Sequence, residues 1–254
     1  MISKHDYWNL WLCLLGKELK AKYKGMALGY LWSLLLPLCQ SLVFLVVFNR
    51  FLRFPIEDYF LFLSIGFVMW QFFSNSVVCG ATVLINNGNL VKKTTCPRLI
   101  FIAASVGAEF VHLLVSLPIL LLFMIICGRY PVVSSLYSLL AGILTIGLFT
   151  FGITVSVALA NVFFRDLERL LQVLLQIWFY VTPIFYSMKQ IPEKYHEFFL
   201  WNPVYIPLKL FRSAFYRPEY CVSGAFFSLL AGVLFCSLVI GIFYHYEKRI
   251  AEFL

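Results

Sequence analysis

Charge is what this chain has least of. Only 13% of its 254 residues are Asp, Glu, Lys or Arg, while 62% are hydrophobic. Soluble domains carry about 25% charged and about 45–50% apolar residues. With a mean hydropathy of +0.88, a water-soluble fold of this length would leave much apolar surface uncovered, so its solvent is lipid. Acidic residues are the scarcest, 12 against 20 Lys and Arg, for a net charge of +8. The cations sit in short connectors between apolar runs, the pattern of topology signals; a nucleic-acid partner is not expected. Paired cysteines are missing too. The seven, at 13, 39, 79, 96, 127, 221 and 236, form no C-x-x-C and mostly fall inside apolar runs. They read as small buried hydrophobes, with no disulfide framework and no metal site. No Gly-rich nucleotide loop is present, so no cofactor and no ATP site are expected in this chain. No period of 20–50 residues recurs. His5, His112, His196 and His245 are scattered, and no acid pair or nucleophile–base set forms. Catalytic residues are therefore expected to be none, which argues against a membrane enzyme.

What the chain does have is long apolar runs, which suit helices; a transmembrane barrel needs short alternating segments. A helix crossing about 30 Å of hydrocarbon needs about 20 apolar residues. Windows near 30–49, 59–85, 99–127, 132–160, 168–187 and 222–244 qualify. The expected fold is an all-α polytopic membrane protein with six transmembrane helices in a single transmembrane domain, 1–254. An even count puts both termini on one side. With the termini inside, the inner segments hold 12 Lys and Arg and the outer ones 8, five of these in one long loop. Both termini are thus expected to be cytoplasmic.

The N-terminal stretch lacks a cleavage site, and its apolar run WNLWLCLL is short. Tyr7, Trp8, Trp11, Leu12, Leu15 and Leu19 recur at helical spacing, with Asp6, Asn9, Gly16, Lys17 and Lys20 opposite. This predicts an N-terminal interfacial amphipathic helix. The loop Met188–Cys221 has four prolines but many aromatic residues, too many for a flexible linker. Two short helices, about 192–201 and 204–216, are expected at the outer interface, although a cap that only packs on the bundle fits equally.

Three constellations stand out. The inner connector INNGNLVKKTTCPRL carries Asn86, Asn89, Lys92, Lys93 and Arg98, and serves as a positive-inside anchor or as a docking element. Glu109 and His112 share one helix face in mid-span; a packed, hydrogen-bonded pair is expected there, against a proton relay. A metal is not expected, because a di-metal bundle site needs a second such pair and further acids. Finally, NVFFRDLERLLQVLLQ concentrates Arg165, Asp166, Glu168 and Arg169 between two apolar runs. Arg165, Arg169, Gln172 and Gln176 are spaced 4, 3 and 4, one stripe that Tyr180 extends before Pro183. Such a stripe faces a water-filled path or bonds another helix.

Several segments in order resemble the membrane subunit of ABC transporters that export lipid-linked polysaccharides, the O-antigen and capsule permeases, nearest the O-antigen branch. They are ELKAKYKGMALGYLWSLLLPL, VKKTTCPRL, NVFFRDLERLL, WFYVTPIFY and WNPVYIPLKLFRSAFY, and together they span most of the chain. The resemblance implies a homodimer joined to two cytoplasmic ATPase subunits that hold ATP and Mg. It implies an interfacial helix over 4–20, a coupling helix over 86–97, and a second ATPase contact at the FFRD elbow. It also implies re-entrant outer gate helices over 192–216, between spans 5 and 6. Trp201, Asn202, Tyr205, Phe211 and Phe215 are the gate candidates.

A dimer-interface channel is expected to be lined by Tyr30, Trp32, Trp70, Phe73, Trp178, Tyr180 and Tyr186, with Gln172 and Gln176 between them. Aromatic rings pack on pyranose C–H faces, and amides meet hydroxyls; belt and packing roles explain the same aromatics. Lys20, Lys22 and Lys24 lie where a lipid diphosphate head would enter, or act as orientation signals. The function implied is a permease moving an undecaprenyl-diphosphate-linked polysaccharide across the bacterial inner membrane. Export of capsule or teichoic-acid precursors, efflux of a small molecule, and a membrane-embedded glycan-modifying enzyme remain alternatives.

Overall fold

The computed structural model describes residues 4–25, 31–51, 55–93, 96–130, 133–164, 166–215 and 224–253. All regular structure among them is helical, with no strand. In chain order the helices are α1 (Lys4–Tyr23), α2 (Trp32–Phe44), α3 (Tyr59–Asn86), α4 (Gly88–Lys93) and α5 (Leu99–Ile126). They continue as α6 (Val133–Phe163), α7 (Leu167–Val181), α8 (His196–Leu200), α9 (Tyr205–Phe215) and α10 (Ala225–Phe253). α2 passes directly into a π-helical segment, Leu45–Phe51.

Four helical stretches among the described residues are long and apolar enough to cross a membrane: Tyr59–Asn86, Leu99–Ile126, Leu136–Phe163 and Ala225–Glu247. The chain is a multi-pass membrane protein. Two of the expected windows give shorter helices. The apolar part of the first covers Leu35–Phe48. The fifth stops at Val181, because Thr182 turns extended (φ −88°, ψ 135°) ahead of Pro183, and the residue before a proline is pushed out of the α region.

α3 is the centre. Nearly every residue from Leu61 to Phe73 is buried, and α2, α5, α6, α7 and α9 all pack on it. The outward faces of the bundle stay apolar, with Leu122, Ile126, Leu140, Leu144 and Leu234 exposed, as expected where lipid is the solvent. Small residues allow the closest crossings. A Cβ on Gly80 would overlap Thr154 Cγ2 of α6, and one on Gly107 would lie 3.1 Å from both Trp11 and Leu15 of α1.

Several buried polar groups are met inside the bundle. Ser116 Oγ donates to His112 O at 2.8 Å, and Thr145 Oγ1 to Ala141 O at 2.6 Å. Asn161 Nδ2 of α6 donates to Ala81 O of α3 at 2.9 Å. At one end, Arg129 Nη2 pairs with Asp58 Oδ2 at 2.6 Å, tying the end of α5 to the start of α3. At the opposite end, Lys17 Nζ of α1 donates to Asn87 Oδ1 at 2.5 Å.

Two expectations are corrected, and the bundle-facing side of α1 becomes visible. Cys13, Cys39 and Cys79 are exposed, and among the described cysteines only Cys236 is buried; an apolar run does not by itself say which of its small side chains a neighbouring helix covers. α1 buries Leu14 and half-buries Leu10, Trp11 and Leu15 against the bundle, while Trp8 and Leu12 stay exposed. Its contact face is thus set by its crossing of α5 at Gly107. Glu109 makes its ion pair with Lys22 of α1, Nζ lying 2.8 Å from each carboxylate oxygen. A buried carboxylate is better compensated by an ammonium than by an imidazole on its own helix.

From Met188 to Phe215 the long loop is folded. A short 3-10 turn, Glu193–Tyr195, leads into α8, and α9 follows. α9 lies against α6, α3 and α10.

Candidate functional site

α7 is amphipathic in an unusual sense. Its inner face is narrow: Leu171 and Leu175 are buried, and Trp178 and Phe179 pack on the aromatic side chains of α3. The other face meets no helix among the described residues. Arg169, Gln172 and Gln176 are exposed along it, and Tyr180 is 54% exposed at its end. Neither Gln172 nor Gln176 is hydrogen-bonded through its side chain to another described residue. Among the described residues, no bond to another helix holds these two glutamines.

Behind the stripe lies an aromatic cluster. Phe179 sits within 5.7 Å (ring centroids) of Phe67 and of Trp70, and 5.9 Å from Phe185. Phe44 of α2 reaches Phe67 at 5.2 Å and Phe185 at 5.7 Å, so α2, α3 and α7 meet here. Trp70 and Phe73 are buried within it. Tyr186 closes its end, its hydroxyl donating to Tyr180 O at 3.1 Å. Trp32 stands apart in a cleft between α2, α3 and α5. Tyr30 lies outside the described residues.

The end of α7 is anchored by two polar residues from the α8–α9 segment. Asn202 is a hub: Oδ1 accepts from Trp178 Nε1 and from Val204 N, each at 3.0 Å, and Nδ2 donates to Thr182 Oγ1 at 2.9 Å. Arg212 of α9, only 7% exposed, donates Nη1 to Pro183 O at 2.6 Å and Nη2 to Ile184 O at 2.5 Å. Its guanidinium lies 3.5 Å from the centroid of Phe62, a desolvated cation–π contact. These two carbonyls lie just past the end of α7, where no helical N–H reaches them, and the arginine supplies their donors. Of the other gate candidates, Phe211 and Phe215 are fully buried, Tyr205 is half-buried, and Trp201 projects at 88% exposure.

At the α4 end, Asn86, Asn89 and Lys92 are exposed, and Val91 anchors the short helix into the bundle. Of Lys93 only the backbone is described. Arg98 faces inward: its N–H donates to Glu247 Oε1 at 2.9 Å and its Nη1 to Glu247 O, fixing the connector to α10. Asp166, Glu168 and Arg169 are exposed beside Phe164, itself 72% exposed. Arg165 lies outside the described residues. Lys20 and Lys24 are exposed, whereas Lys22 is held by Glu109. Among the described residues no cluster could hold a metal ion.

Two functional side chains escape sequence reasoning. Arg212 counts there only as a cation of the long loop, although Leu208 and Phe215, four before and three after, put it on an apolar face. Lys22 reads as one of three similar lysines, and only the crossing of α1 over α5 selects it.

The structure is thus a helical bundle whose α7 carries an exposed polar stripe. The chain belongs to the ABC-2 type transporter family, whose profile matches residues 9–216. It is 32% identical to the O-antigen export system permease protein RfbA of Klebsiella pneumoniae over 248 residues, 97% of this chain and 95% of that one. A protein of the same name from Myxococcus xanthus is 30% identical over 84% of this chain and 82% of its own length. The polysialic acid transport protein KpsM of Escherichia coli is 24% identical over 89% of this chain and 88% of its own.

Proposed function

We propose that this chain is the permease subunit of an ATP-driven exporter that carries lipid-linked O-antigen polysaccharide across the bacterial inner membrane. It acts as a homodimer with two cytoplasmic ATPase subunits, which bind the ATP and Mg. The cargo arrives on undecaprenyl diphosphate. The likeness to the O-antigen permeases, at about a third identity over nearly the full length, supports the cargo. The more distant KpsM likeness favours a capsular polymer as the second reading.

One observation carries the reading: the exposed stripe Arg169–Gln172–Gln176–Tyr180, with no partner helix among the described residues. In a dimer, two such stripes face each other across a hydrated path, with Tyr186 at its end and Trp178, backed by Trp70 and Phe73, at its border. Amides and rings then offer a sliding glycan weak, repeated contacts. α2, extended to Phe51 by its π-helical segment, and α7 complete a six-span unit, both termini cytoplasmic. α1 lies in the inner interface, where exposed Lys20 and Lys24 attract the diphosphate head. Asn86, Asn89, Lys92 and Lys93 on and around α4, with Arg98 bracing them, seat on the ATPase. The elbow of Arg165, Asp166, Glu168 and Arg169 is the second contact. Trp201, Asn202 and Tyr205, supported by Phe211 and Phe215, form the outer gate.

The test is ATP-driven export of the lipid-linked polymer by the reconstituted permease–ATPase complex. Replacing Gln172 and Gln176 together with leucine should stop transport while assembly persists. Full transport in that variant would sink the path.

A further inference from the structure

Away from the α7 stripe, a cleft of about 510 Å³ opens between α1, α2, α3 and α5. Polar groups converge in it from four helices: Lys22, Trp32, Gln71, Asn75, Glu109 and His112. Gln71 and Asn75 stand one turn apart on α3. Glu109, with its side chain only 5% exposed, is held from the rim by Lys22. The indole of Trp32 is 39% exposed. The remaining wall is largely aliphatic and aromatic.

The charges narrow the choice of ligand. Among the lining residues the one lysine is paired at 2.8 Å with the one carboxylate. An anionic phosphate would find that cation already neutralised and would meet Glu109 beside it. A hydrocarbon chain would bury Gln71 and Asn75 against apolar groups, which costs free energy unless they are hydrogen-bonded. A neutral pyranose satisfies the whole set. Its C–H face covers the Trp32 indole, its hydroxyls accept from the Gln71 and Asn75 amides, and another hydroxyl donates to Glu109. An ionised carboxylate has about four lone-pair sites, and Lys22 engages only part of them. The volume lies within the range of about 300–1,000 Å³ common for small-ligand pockets.

We propose that this cleft is a sugar-binding site, one per protomer, for a neutral pyranose ring of the transported glycan, separate from the α7 path. The site rests on the reading that the cargo is a polysaccharide. α2 supplies Trp32, and α1 reaches the cleft through Lys22, so an occupied cleft ties the interfacial helix to α2, α3 and α5.

The test uses the full chain in lipid nanodiscs and a panel of methyl pyranosides, read by saturation-transfer difference NMR. At least one pyranoside should show transfer strongest at its ring C–H protons. Trp32→Ala should weaken that binding by about fivefold or more, as expected on removing a stacking ring. The Gln71→Leu/Asn75→Leu pair should abolish the preference between epimers. Trp8→Phe, which removes an exposed indole on α1, should change nothing. Should Trp32→Ala not fold, Trp32→Leu gives the same reading. No transfer from any pyranoside, or transfer unchanged by the Trp32 and amide variants, overturns the site. So does native mass spectrometry showing a phospholipid that Lys22→Met releases and pyranosides do not displace. Export by the assembled transporter without pyranoside binding removes the cleft alone; binding without export removes the parent reading and leaves the sugar site standing.

Discussion

The α7 stripe and the cleft beside α1 are both polar features in a lipid-facing molecule, yet they are handled in opposite ways. In the cleft, the charged groups find each other within one chain: Lys22 reaches the buried Glu109 at 2.8 Å. Along α7, Gln172 and Gln176 stay exposed, and the chain provides only the apolar back of the helix. A polar group satisfied internally is compatible with surrounding lipid. One left open requires something outside the chain, a second copy or water. The difference separates polarity met within the chain, the Lys22–Glu109 pair, from polarity offered outward, the α7 glutamines and, in the cleft, Gln71 and Asn75.

Four variants break or sharpen that comparison. The largest effect is expected for Arg212→Ala, which strips the anchor of α7 at the Pro183 break. Losing two charge-assisted bonds and the contact with Phe62 should lower stability by on the order of 3 kcal/mol, read as thermal unfolding in detergent. Arg212→Lys should recover little, since a point charge cannot serve two carbonyls in a fork. An unchanged melting temperature would mean that α7 is held by its apolar face alone.

Next comes Lys22→Met, which strands the Glu109 carboxylate. Breaking a fully buried pair costs about 3–5 kcal/mol. Lys22 is about a third exposed, so about 2 kcal/mol is expected here. Lys22→Met with Glu109→Met should regain most of this, and additive losses in the double variant would refute the pairing. Asn202→Ala should cost about 1–2 kcal/mol by leaving Trp178 Nε1 and Thr182 Oγ1 without their partner. Trp178 fluorescence would report it directly. The smallest effect on stability belongs to Gln172→Leu/Gln176→Leu, within about 0.5 kcal/mol for exposed sites, although export should fail. A large loss of stability would place those glutamines against protein after all.

Much of the stripe was legible in the sequence. Spacings of 3 and 4 put Arg169, Gln172 and Gln176 on one face of α7, because helix geometry is local. Whether that face meets another helix of the chain is not local, and only the packing of α7 on α3 answers it. The aromatics illustrate the same limit. Trp70, Phe73 and Tyr180 look alike as lipid-phase side chains, yet the first two are buried and the third is half open. Periodicity on α3 carries no signal, since almost all of its faces are covered. Glu109 was recognisable as costly in mid-span, but its partner lay 87 residues away.

By itself the sequence determined the solvent, the helical class and the spacing that puts Arg169, Gln172 and Gln176 on one face, because composition, run length and helical period act within a few residues. The tertiary structure alone decided which lysine pairs with Glu109, that Arg212 turns inward, and that α7 leaves its polar face open. Those outcomes depend on which helices cross and how closely, a matter of Gly80 against Thr154 and Gly107 against Trp11, and no local pattern encodes such a crossing.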